Sequence, residues 1–182
     1  MRELSLNILD VAQNSITAGA SLITVEVNEN TVENSLLIGI YDNGCGMSKE
    51  QVASVIDPFF TTRTTRKVGM GIPLFKMAAE MTGGGLEIKS ELSVGTEVKA
   101  VFKTDSVDFT PLGDIASTVV ALISMNTDRD FIYRRSVNSR EFVLDTRELK
   151  TILGDVPLDT YEISEWIKDY ITENTNELYG GA

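Results

Sequence analysis

The sequence lacks several residues around which functional sites are commonly built. It contains no histidine, so any step that must end on an imidazole needs a second molecule. Its one cysteine, Cys45, excludes an internal disulfide framework and any cysteine-based metal cluster. No apolar run approaches the ~18 residues of a membrane-spanning helix. Met1 to Asn7 show no signal-peptide pattern and run straight into a helical period. Positive charge is scarce: 16 Lys and Arg stand against 27 Asp and Glu, a net charge of −11. That balance argues against sequence-independent binding to nucleic acid or to an anionic membrane. A cytoplasmic globular protein is the expectation. The apolar fraction of 42% and charged fraction of 24% are ordinary, and 182 residues suffice for one full core and a small second unit.

The most informative stretch is Tyr41-Asp42-Asn43-Gly44-Cys45-Gly46-Met47. The apolar run Leu36 to Tyr41 before it reads as a buried strand. The strand delivers one carboxylate into a turn with two glycines, Gly44 and Gly46, which permit positive φ and close approach of a flat ligand. A buried carboxylate needs a donor, and an exocyclic amine such as adenine N6 is one. Read alone, the stretch fits equally a hairpin turn of the Asp-Asn-Gly kind.

The surrounding chain alternates helix and strand signals. Residues 3–18 carry an amphipathic helical period, with Gly19 as its stop. Asp10 and Asn14, at i and i+4, share one face of it, either as a solvated polar edge or as a site. Leu22 to Asn28 alternate as a strand. Ser48 to Gln51 form a capping box for a short helix ending near Ile56, before Pro58. Residues 57–69 read as a lid: Phe59 and Phe60, then threonines with Arg63, Arg66 and Lys67, cations suited to phosphate. Gly69-Met70-Gly71 opens a second helix, and Pro73 is compatible with its first turn. Backbone N–H groups at such a helix start bind phosphate directly. Leu86 to Ser90 and Thr96 to Phe102 read as two further strands.

Four stretches, around Asn14, Asp42, Asp57 to Arg63 and Gly69 to Gly71, stand in an order and spacing that resemble the GHKL ATPases: DNA gyrase, the heat-shock chaperone of that class, sensor histidine kinases and MutL mismatch-repair proteins. The resemblance spans roughly residues 3–103. It implies the Bergerat fold, an α/β (α+β) two-layer sandwich on a mixed sheet, with ATP and Mg²⁺ as ligands. It also implies roles: Asp42 for the adenine amine, with Gly44, Gly46, Met47 and Thr96 shaping the base pocket. Asn14 is then the Mg²⁺ ligand, and Arg63, Lys67, Gly69 and Gly71 face the phosphates. Asp10 takes the place of the general base, which is often Glu in the family. The region around Asn14 looks MutL-like, whereas Pro58 to Arg63 resembles the corresponding box of sensor histidine kinases.

A sensor histidine kinase phosphorylates a histidine on its own dimerisation helices, and this sequence holds neither. Three expectations follow. The chain is a kinase acting in trans on a Ser or His of a protein partner, a slow ATPase whose nucleotide changes the lid, or a nucleotide-sensing module with no useful turnover. A homodimer is compatible with each.

Residues 1–104 are thus expected as the ATP-binding unit and 105–182 as a small α+β appendage. In the latter, Pro111 is expected to open a helix over Leu112 to Met125. A hairpin turns at Asn138-Ser139, a capping box at Asp145 to Glu148 leads a helix to Leu153, and a last helix runs from Asp159 to Asn176.

Overall fold

The computed structural model describes residues 3–57 and 70–180. Their frame is one six-stranded mixed sheet. Strand β1 (Leu22–Asn30) pairs antiparallel with β2 (Ser35–Asp42), and β2 with β4 (Gly95–Lys103). Strand β3 (Gly85–Glu91) forms one edge beside β4. On the other side of β1, β5 (Asp130–Val137) runs parallel to it, and β6 (Arg140–Asp145) forms the far edge. Residues 105–182 therefore contribute two strands to the same sheet as β1 to β4.

The alternation of the strands decides which face is covered. Ile23, Val25 and Val27 of β1, Leu36, Ile38 and Ile40 of β2, and Val98, Ala100 and Phe102 of β4 are all buried in one core. Helix α1 (Leu4–Thr17) lays Leu4, Ile8, Val11 and Ala12 into it. Helix α3 (Gly71–Met81) adds Ile72, Phe75 and Ala79, with the Phe75 and Phe102 rings 5.7 Å apart. Helices α4 (Ile115–Met125) and α6 (Tyr161–Leu178) pack against each other, and their Leu122, Ile167 and Ile171 join the same core as Phe131 and Tyr133 of β5. The shorter α2 (Lys49–Ile56) and α5 (Thr146–Leu153) complete the set.

Most expected elements recur within a residue or two, but α4 starts later than its apolar pattern. The first backbone N–H groups of α1 have no side-chain cap; Leu4 and Ser5 donate instead to the carbonyls of Pro111 and Leu112, at 2.9 and 2.8 Å. That ties Pro111 and Leu112 across the end of α1, and Gly113 turns the chain with φ +78. Helix α4 begins only after Asp114, whose carboxylate accepts from Ser117 N–H at 3.0 Å. The expected capping box of α5 is also replaced. Asp145 accepts from the Arg147 N–H and pairs with the Arg147 guanidinium at 2.8 Å, rather than being answered by Glu148.

Candidate functional site

Helix α1 and the end of β2 meet at a buried hydroxyl. Ser15 Oγ donates to Asp42 Oδ2 at 2.6 Å, and Gly44 N–H donates to Asp42 Oδ1 at 2.9 Å. Each carboxylate oxygen thus receives one hydrogen bond and keeps a lone pair for another donor. Ser15 is 3% exposed. Its place on the inner face of α1 suits a small polar side chain that must reach across to a strand end. Sequence reasoning passed over it as a helical residue beside Asn14.

The loop after Asp42 is stitched to two neighbours. Cys45 N–H donates to Ala18 O at 3.0 Å, and Ser93 N–H to Cys45 O at 2.8 Å. Asn43 does not face the site: its Oδ1 accepts from the backbone N–H of Ser21 and Leu22, at 2.9 and 3.0 Å. The two glycines serve these contacts. Gly46 has φ +71, and a Cβ there would lie 2.0 Å from Glu91 O; a Cβ on Gly44 would sit 2.9 Å from Ala18 Cβ. The close approach they permit is between chain segments, which differs from the expected approach of a ligand.

Thr96 stands directly opposite Asp42 across the β2–β4 pair. Its hydroxyl lies 2.8 Å from Ser90 Oγ, and Ser90 Oγ also accepts from Met47 N–H at 2.8 Å. Ser90 therefore ties the β3–β4 hairpin to the loop and orients Thr96. It too was missed, because a serine in an alternating strand carries no local signal.

Beside Ser15 and one turn further back, α1 presents a second set of groups. Asn14 lines the same space, and its Oδ1 is a buried oxygen with no hydrogen-bond partner among the described residues. A buried acceptor left open in this way invites a donor or a cation. Asp10 lies beside the start of α3: a Cβ on Gly71 would be 3.3 Å from Asp10 Cβ, a tight contact that would push the two helices slightly apart. Partial burial raises the Asp10 pKa above the usual aspartate value.

These groups surround a cavity of about 350 Å³, within the ~300–1,000 Å³ range of ligand pockets. Asn14, Ser15, Asp42 and Thr96 supply its polar wall, and Val11, Ala18, Met47, Val55, Ile72 and Val98 its apolar wall. A second recess of about 240 Å³ shares Asp42 and Thr96 and continues along Ser90 to Glu97. Of the expected site residues, Asn14, Asp42, Gly46, Met47 and Thr96 line the cavity; Gly44 sits behind Asp42. Asp10 and Gly71 stand at the α1–α3 junction. Arg63, Lys67 and Gly69 lie outside the described residues. Among the described residues, no three His, Cys, Asp or Glu side chains gather as a metal cage. A cation bound here would depend on Asn14 together with the oxygens of a ligand, as Mg²⁺ on a triphosphate does.

A carboxylate at a strand end, opposed to a threonine and beside a helix with an open amide, gives this α+β sandwich a cavity of ligand size with a polar end. The comparisons with known proteins agree. The family model described as histidine kinase-, DNA gyrase B-, and HSP90-like ATPase matches residues 1–106, and the chain belongs to that family. Membership implies ATP binding of the histidine-kinase-like type, and the mixed sheet with its helices is the Bergerat fold. Sensor protein SrrB of Staphylococcus aureus is 36% identical over 101 residues, covering 53% of this chain and 17% of that protein. Sporulation kinase D of Bacillus subtilis is 31% identical over 91 residues, 50% of this chain and 18% of that one. A putative sensor protein of Shewanella frigidimarina is 26% identical over 103 residues, 56% and 15%. The chain matches less than a fifth of the length of each of these relatives. Among solved structures, the crystal structure of the N-terminal domain of a DNA repair protein superposes with TM-score 0.61 at 12% identity, over 85% of this chain and 58% of that one. At that identity the likeness is one of fold. It reaches past residue 106, so it includes part of the region that carries β5 and β6.

Proposed function

We propose that the chain binds Mg²⁺·ATP in the α1–β2–β4 cavity and uses it on a second protein, as a kinase of a Ser or His acceptor in trans or as an ATPase that signals through the lid. The observation that carries this reading is the Asp42 carboxylate, held by Ser15 Oγ and Gly44 N–H with one lone pair free on each oxygen. Such a group accepts from the adenine amino group and repels the O6 acceptor of guanine. Thr96, oriented by Ser90, offers a second polar contact for the base, directly or through water. Val11, Met47, Ile72 and Val98 supply the apolar contacts for its faces.

The open Asn14 Oδ1 fits a metal-ligand role, with phosphate oxygens and waters completing the shell. When bound, ATP supplies the transferable phosphoryl group, and the residues here position and stabilise it. Asp10, beside the N-terminus of α3, would take the proton of the attacking hydroxyl or water. Its short side chain also supports the alternative, a nucleotide-sensing module with little turnover.

Calorimetry with ATP and GTP, each with and without Mg²⁺, tests the binding reading. ATP is expected to bind, and more tightly with Mg²⁺, while GTP is rejected. Equal binding of both nucleotides removes Asp42 as the base reader. A phosphate-release assay then separates turnover from sensing.

A further inference from the structure

A second cavity, of about 220 Å³, lies between α1, α3 and the segment that follows β4. Its wall on α3 is apolar: Leu74, Met77, Ala78 and Met81 recur at helical spacing. Met77 and Met81 are more than half exposed, unusual for two neighbouring apolar side chains on a covering helix. The opposite wall is polar and carries the amide of Asn7, the carboxylate of Asp108 and the hydroxyl of Thr110.

Asn7 gives this cavity its point. It is 1% exposed, and its Oδ1 is buried with no hydrogen-bond partner among the described residues. An unpaired buried acceptor costs stability, and such groups in native proteins call for a cause. Asp108 adds a full negative charge, and among the described residues its carboxylate makes no ion pair or hydrogen bond. It is also held in place. Its N–H donates to Ser106 Oγ at 3.1 Å, and the adjacent Phe109 packs on Phe102 with ring centroids 6.4 Å apart. The nearby cation of α3, Lys76, is already paired with Glu80 at 3.1 Å.

We infer that this cavity binds an alkylammonium group. The methylenes would lie on Leu74, Met77 and Met81, whose soft thioethers adapt to a slender chain. The ammonium would donate to Asp108 and into the Asn7 side. Among the described residues the lining holds the Asp108 carboxylate and no cation, which disfavours an anion. A volume below the ~300 Å³ of drug-sized pockets limits the occupant to one slender chain, such as a lysine side chain or a small free amine. The site is separate from the nucleotide cavity but shares its two helices: α1 gives Asn7 to one and Asn14 to the other, and α3 gives Met77 to one and Ile72 to the other. Nothing in the inference depends on nucleotide binding.

The test uses the full chain labelled with ¹³C at the methionine methyls and titrated at constant chloride with n-butylammonium. Saturable shifts at Met77 and Met81 are expected. With n-butanol, of the same shape but uncharged, and with Asp108→Asn, binding should weaken by about tenfold, the worth of one charge-assisted hydrogen bond. Nα-acetyl-lysine N-methylamide distinguishes the two sources. Binding at least as tight as butylammonium assigns the pocket to a lysine of a protein partner, and binding of the free amine alone assigns it to a small amine. Asn7→Leu should abolish the shifts while raising the melting temperature. Equal affinity for butanol, an unchanged affinity in Asp108→Asn, or shifts that do not saturate would overturn the inference. Asp108→Asn decides the matter even if Asn7→Leu does not fold.

Discussion

Ser15 Oγ and Asp42 Oδ2 lie 2.6 Å apart, joining the helix that begins the chain to the strand end that opens the cavity. The hydroxyl both satisfies a half-buried carboxylate and fixes its rotation, so the outer lone pairs point in one direction. Ser15→Ala is therefore expected to weaken ATP binding several-fold, at a cost of about 1 kcal/mol in stability. Asp42→Asn should lose at least ~2 kcal/mol of binding, because the amide presents a donor to the adenine amine. Calorimetry on both variants and the double mutant checks this. If Asp42→Asn binds ATP like the parent, the base assignment is wrong.

Asn14 separates a ligand role from a structural one. Its Oδ1 has no partner among the described residues, so Asn14→Ala should leave the melting temperature of the nucleotide-free chain unchanged or slightly higher. Binding of Mg²⁺·ATP should weaken more than binding of metal-free ATP. Equal losses in the two conditions, or a large loss of stability, would return Asn14 to a packing role.

Asp10 makes a statement about pH. Burial raises its pKa in the folded chain above the unfolded value of 3.8, so its contribution to stability is present below that pH and is lost as pH rises through the folded pKa. At neutral pH the charged form is therefore slightly disfavoured, and Asp10→Asn should be no less stable than the parent. A general base works only when deprotonated. Turnover should accordingly rise with pH through an acidic limb shifted above 3.8. Asp10→Asn should cost roughly 10²- to 10⁴-fold in rate while ATP still binds. A pH–rate profile unchanged by the substitution would support the sensing alternative, and a faster Asp10→Glu would identify a catalyst limited by reach.

Gly46 tests how the pocket is built. A side chain there meets both an unfavourable φ of +71 and the Glu91 carbonyl, whereas Gly44 meets Ala18 Cβ and the Ala18 carbonyl without a positive φ. The backbone strain alone is of order 1–2 kcal/mol for a non-glycine residue. Gly46→Ala should lower the melting temperature and shift the amide signals of Glu91, Leu92 and Ser93 in the NMR spectrum. Unchanged signals there would mean that the loop and the β3–β4 hairpin are not packed as described.

Local sequence determined a great deal of this protein. Helix α1, the four strands of the N-terminal half, the Ser48–Gln51 capping box of α2 and the last helix follow from periodicity and caps, which act over a few residues. The Asp-x-Gly-x-Gly turn stands out as a short polar motif after an apolar run, whereas Asn14, inside a helix, was singled out only through the resemblance to the GHKL ATPases. Tertiary structure decided what no short window contains. Strand β5 lies parallel to β1 across a long crossover, and α4 starts late because Pro111 and Leu112 cap another helix. Ser15, Ser90 and Asn7 are ordinary polar residues in their own elements. They gain a role only where folding brings distant segments within hydrogen-bond reach, or leaves a buried oxygen without a partner, and neither condition is written into the residues beside them.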